Sequence, residues 1–145
     1  MSFFRFALWA LAAALLPATS VAQDPDIIVR GDVARIEIER ILDADNVDTS
    51  QLSPREVAEA IAAIGRGRAP EDFWKAYRAH VEAWNRFADA IDAARRGKSD
   101  SPLEGGAELA DADRAIDVTF DEVERIARRY GARLPIPPWQ VAPTI

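Results

Sequence analysis

An all-α fold is predicted by three features of the sequence. The stretch "QLSPREV" at 51–57 holds a serine, a proline and a glutamate in the order that starts a helix. From Phe73 to Ile91 the large apolar residues and one histidine recur at spacings of 4, 3, 4, 3 and 4, the repeat of a helix with one buried face. Glycines at 65, 97 and 131 stand where the periodic segments stop, the position of a left-handed C-terminal cap. Together they describe a small helical bundle around a long antiparallel helical hairpin, with two shorter N-terminal helices and a proline-rich extended C-terminal tail.

Residues 1–22 read as a cleaved secretory signal peptide: Arg5, an apolar run from Phe6 to Leu16, then Pro17 and small residues ending in Ser20-Val21-Ala22. The run is about half of what a hydrocarbon core requires, so no stable membrane insertion is expected after cleavage. Residues 23–31 are expected to be a flexible arm in which Ile27, Ile28 and Val29 form a short β-prone run. Helix one is expected from Asp32 as N-cap to about Ala44, with Ala34, Ile38, Ile41 and Leu42 inward. The alternation in "RIEIERI" keeps a strand at 36–42 open at this point.

Helix two follows from the capping box. Ser53 caps, Pro54 takes the first helical position, Glu56 closes the box, Leu52 staples onto Val57, and Gly65 ends the helix. Val57, Ile61 and Ile64 form its inward stripe. Helix three runs from near Pro70 to about Arg96, stopped by Gly97, with Phe73, Tyr77, His80, Trp84, Phe87 and Ile91 along its seam. On its outer face Glu71 with Lys75, Arg78 with Glu82, and Glu82 with Arg86 are spaced to pair. "GKSDSPLEGG" at 97–106 reads as a loop. Helix four spans about Ala107 to Tyr130, with Leu109, Ile116, Phe120, Val123, Ala127 and Tyr130 inward and Gly131 as its stop. The helical domain thus covers 32–131. Residues 132–145, with four prolines, form an extended tail that lays Trp139 across the helices.

Charge and composition exclude several functions. Once residues 1–22 are removed, 17 basic residues face 24 acidic ones, a net charge of −7 that repels phosphate backbones, so no nucleic acid partner is expected. There is no cysteine and one histidine, which rules out a thiol nucleophile and an ordinary zinc site. A calcium loop starting at Asp45 would place Val47, Thr49 and Ser50 where two oxygen ligands and a glycine are needed. No metal, no cofactor and no catalytic residue are therefore assigned.

Two constellations remain. Phe73, Tyr77, His80, Trp84 and Phe120 outline an aromatic ligand pocket between helices three and four. His80 lies within the apolar stripe with no carboxylate one turn away on its own helix. It is expected to be neutral near pH 7, to bond to a group on another helix, and to have a pKa below its ordinary value. Asp113, Asp117 and Asp121, with Glu124 beyond, make an acidic ridge on helix four in which Asp117 can pair with Arg114 and Glu124 with Arg128. That ridge and Trp139 are the candidate partner-binding residues.

The leading functional expectation is a non-enzymatic, acidic module, exported by the bacterial general secretory route to the periplasm or beyond, that binds an envelope protein. A carrier or sensor of a small apolar ligand in the aromatic pocket is the alternative. A hydrolase using a carboxylate pair comes third.

Overall fold

A computed structural model describes residues 25–97 and 102–136. Residues 1–22, expected to be a signal peptide, and Trp139 lie outside the described residues. Those described form four α-helices and one short 3-10 turn: α1 (Pro25–Asp45), the turn Thr49–Gln51, α2 (Pro54–Ala62), α3 (Glu71–Arg95) and α4 (Pro102–Arg129). The two long helices α3 and α4 are antiparallel. Asp72 at the start of α3 accepts from the Tyr130 hydroxyl at 2.9 Å and from Arg129 at 3.0 Å, at the far end of α4.

Helix α1 settles the ambiguity in "RIEIERI". In a strand Ile36 and Ile38 would share a face; here Ile36 is 56% exposed and Ile38 fully buried, as a turn of about 200° between them requires. Ile38, Ile41 and Leu42 enter the core, while Arg35 pairs with Glu39 at i,i+4 on the outside. The helix begins at Pro25, seven residues ahead of the expected start at Asp32, so residues 25–31 are helical. A proline is suited to a first helical turn, having no N–H to leave unpaired.

Helix α2 starts as the capping box requires. Ser53 Oγ accepts from the Glu56 backbone N–H at 3.3 Å, and the Glu56 carboxylate accepts from the Ser53 N–H at 2.7 Å. Leu52, expected to staple onto Val57, is 37% exposed. Gly65 is not the stop. The helix closes at Ala63 through ordinary right-handed geometry, and the left-handed residue is Gly67, with φ of 54°. At Gly67 the loop presses on α1 so closely that an added Cβ would run into the Glu37 carboxylate. Arg40 of α1 clamps the same loop by donating to the Gly65 carbonyl at 2.7 Å.

Helix α3 ends at Arg95 with Gly97 left-handed after it, as expected. Its buried face comprises Phe73, Tyr77, His80, Ala83 and Ala88, whereas Trp84, Phe87 and Ile91 are only half-buried. Arg55 joins α2 to α3 through Asp89 and Asp92. None of the three outer-face pairs expected within α3 forms; Glu71 turns to Arg66 at 2.6 Å.

Helix α4 begins at Pro102, inside the expected loop, and carries Gly105 and Gly106 as helical residues at a cost of about 1 kcal/mol each relative to alanine. Among its described side chains Val123, Ile126 and Ala127 are buried, Ile126 being one the periodicity left out. Gly131, with φ of 70°, makes a Schellman stop. The Ala132 N–H bonds back to the Ala127 carbonyl and the Gly131 N–H to that of Arg128. Residues 132–136 then turn onto α1: the Arg133 N–H bonds to Glu39 at 3.0 Å, and Asn46 donates to the Ile136 carbonyl at 3.0 Å. The tail is thus docked where it is described.

Candidate ligand site

The end of α1, the turn 46–50, α2, α3 and α4 enclose a half-open cleft of about 660 Å³. Its apolar walls are Leu42, Val57, Ile61, Ile116, Phe120 and Pro135, with His80 and Trp84 from α3. Its polar lining is Asp45, Asn46, Asp48, Thr49, Ser50, Asp117 and Glu124. The volume falls within the range of small-molecule sites, and an apolar interior with a few polar groups is their usual composition.

Of the aromatic set expected from sequence, His80, Trp84 and Phe120 line this cleft. Phe73 and Tyr77 do not; both are fully buried in the core below it, their rings stacked at 6.3 Å. On the acidic ridge Asp117 and Glu124 reach the cleft, whereas Asp113 and Asp121 face solvent elsewhere. Arg114 pairs with Asp111 at 3.1 Å rather than with Asp117, and Arg128 with Glu124 at 2.6 Å as the spacing predicts.

His80 is 3% exposed and both ring nitrogens are engaged. The Trp84 indole N–H donates to Nε2 at 3.2 Å, which makes Nε2 an acceptor and puts the proton on Nδ1. Nδ1–H in turn faces Thr119 Oγ1 on α4 at 3.2 Å, and the Thr119 hydroxyl passes its own proton to the Ala115 carbonyl at 2.7 Å. The Phe120 ring lies 5.0 Å away. Protonating Nε2 would set two donors against each other inside an apolar wall. Burial accordingly pushes the His80 pKa down to about 4, opposed only by the Ile116 carbonyl.

Asp45 is the group that sequence reasoning missed. It sits seven residues after Ile38 and three after Leu42, so the inward stripe of α1 ends in a carboxyl group. An acid in phase with buried isoleucines was the available signal. Burial raises its pKa to about 6, against a hydrogen bond from Tyr77 that favours the charged form. The Tyr77 hydroxyl lies 2.9 Å from Asp45 Oδ1 and 3.2 Å from the Ile61 carbonyl. Either state of Asp45 is served. The ionised carboxylate accepts from Tyr77; the protonated one can donate to it, freeing the tyrosine proton for Ile61. Burial and the neighbouring Asp45 also hold the Tyr77 phenol in its neutral form.

Among the described residues no three His, Cys, Asp or Glu side chains gather to hold a metal ion, and no helix is long and apolar enough to cross a membrane. The fold and cleft together define an all-helical bundle with a large half-open cleft among the described residues. Comparison with models of protein families, with characterised proteins and with solved structures gave no match.

Proposed function

We propose that this chain is an exported carrier or sensor that binds a small, largely apolar ligand in the cleft between α2, α3 and α4. The single supporting observation is the cleft itself: about 660 Å³ walled largely by aliphatic and aromatic side chains. That volume holds a molecule of one or two fused rings, and covering such a ligand's apolar surface supplies about 25 cal/mol per Å² before the costs of association. His80 is a wall residue in this function: neutral, fixed in one tautomer and bonded to Trp84, whose indole stands in the lining. Export rests on the sequence alone, on the three-part layout of residues 1–22.

The test is saturable 1:1 binding of a neutral apolar fluorophore, N-phenyl-1-naphthylamine, to the mature protein. Ile116→Trp, at a half-buried lining position, fills the cleft and is expected to weaken binding with the helical circular dichroism unchanged. Binding that is unsaturable, or indifferent to this substitution in a folded variant, refutes the proposal.

A further inference from the structure

Resting on the ligand-binding reading above, we propose that the ligand carries a positive charge: an aromatic or aliphatic ammonium whose apolar body fills the cleft and whose head pairs with Asp45. The cleft is lined by four carboxyl groups, and among the described residues no lysine or arginine stands in its lining. Its histidine has both ring nitrogens occupied and remains neutral, so it offers an anion nothing. The carboxyl groups differ in availability. Glu124 is held by Arg128 at 2.6 Å, Asp48 accepts from the Ser50 N–H at 3.0 Å as the cap of the short turn, and Asp117 is solvent-exposed at the rim. Asp45 is inside the apolar lining, and among the described residues only its Oδ1 has a hydrogen-bond partner, the Tyr77 hydroxyl.

A carboxylate at the end of a buried apolar stripe is costly to ionise without a counter-charge, and a ligand ammonium is that counter-charge. The ring faces of Trp84 and Phe120 in the same lining add the attraction of π systems for cations. Tyr77 on α3 bonds to Asp45; His80 on α3, Asp117 and Glu124 on α4 and Asp48 on the turn share the lining with it, and Arg40 on α1 acts on Tyr77. Only Arg40 is positive without standing in the lining, and it is committed to Glu37 and to the Gly65 carbonyl.

The experiment uses three probes with one ring system: 1-naphthylmethylamine (cation), 1-naphthalenemethanol (neutral) and 1-naphthoate (anion), titrated calorimetrically into mature protein. The cation is expected to bind about tenfold more tightly than the neutral alcohol, the worth of one hydrogen-bonded charge, with the anion weakest. Asp45→Asn should erase the preference, bringing cation and alcohol to equal affinity in a variant with unchanged helical circular dichroism. Near the Asp45 pKa of about 6, binding the amine should release protons, seen as a heat that depends on the buffer's ionisation enthalpy. An alcohol that binds as tightly as the amine overturns the inference and leaves the carrier proposal standing. Failure of all three probes overturns both. If the alcohol enters only after Trp139→Ala, the occupant is the chain's own C-terminal segment, and the cationic ligand is again refuted.

Discussion

Replacing either His80 or Asp45 removes one side of a balance between opposed proton equilibria. His80 titrates at about 4 in the fold against an ordinary 6.5, and Asp45 at about 6 against 3.8. For the histidine, whose pKa is lowered, the unfolded chain takes the proton first as pH falls. Its contribution is therefore complete above pH 6.5 and is lost on the way down to about 4. For the aspartate, whose pKa is raised, the folded chain takes the proton first. Its contribution is complete below 3.8 and is lost as pH rises through about 6. Integrating from about pH 7.5 to about pH 4.5, protonation linked to His80 costs roughly 2.5 kcal/mol and that linked to Asp45 returns roughly 2 kcal/mol. Wild type is thus nearly flat with respect to this pair. His80→Leu should gain about 2.5 kcal/mol relative to wild type over that interval, and Asp45→Asn should lose about 2 kcal/mol. Glu39, Asp48, Glu56 and Glu122, whose pKa values are lowered by their hydrogen bonds and nearby arginines, are shared by all three proteins and cancel in the differences. Leucine is tolerable at 80 because Thr119 keeps its bond to the Ala115 carbonyl and half-buried Trp84 can turn its N–H to the cleft. Urea melts of the three proteins at stepped pH decide the matter. If both variants track wild type in parallel across the interval, the cleft groups do not titrate on folding in this way and the balance does not exist.

Three further outcomes are expected. Ser53→Ala removes the capping oxygen of α2 and should cost about 0.5–2 kcal/mol in a denaturant melt, a silent result meaning that the box contributes nothing. Gly67→Ala should destabilise by about 1–2 kcal/mol, from the left-handed backbone and the crowded Glu37 carboxylate, whereas Gly65→Ala, with open space around it, should be near neutral; equal melting temperatures contradict the account of this loop. Intact-mass analysis of the protein from a bacterial envelope fraction should find Gln23 at the N-terminus, and a membrane-bound product retaining residues 1–22 removes the case for export.

The features legible in the sequence are those whose physics acts within one or two turns. The Ser53–Glu56 box and the left-handed glycines at 97 and 131 are local hydrogen-bond patterns, and the structure has them where the sequence puts them. The inward place of His80 followed from helical phase, and its lowered pKa from the burial that this phase imposes. Where two local signals competed, reading by eye failed. Pro102 begins α4 although serines and glycines around it read as a loop, and Pro25 opens α1 well before the Asp32 cap. Ile36 and Ile38 fit a strand and a helix alike until burial separated them.

By itself, then, the sequence determined a helical bundle, the caps at Ser53, Gly97 and Gly131 and an inward-facing histidine, because each depends on neighbours three to seven residues away. Only the tertiary structure decided that Phe73 and Tyr77 belong to the core rather than to the site, that the half-buried Asp45 is the acid bonded to Tyr77 in its lining, and that the chain after Gly131 folds back on α1. The cleft joins Leu42 and Asp45 to Phe120 and Pro135, groups separated by more than seventy residues of chain. No pattern of local spacing encodes that meeting: a concavity is the space left when helices of given length and side-chain volume pack, and it exists only once they have packed.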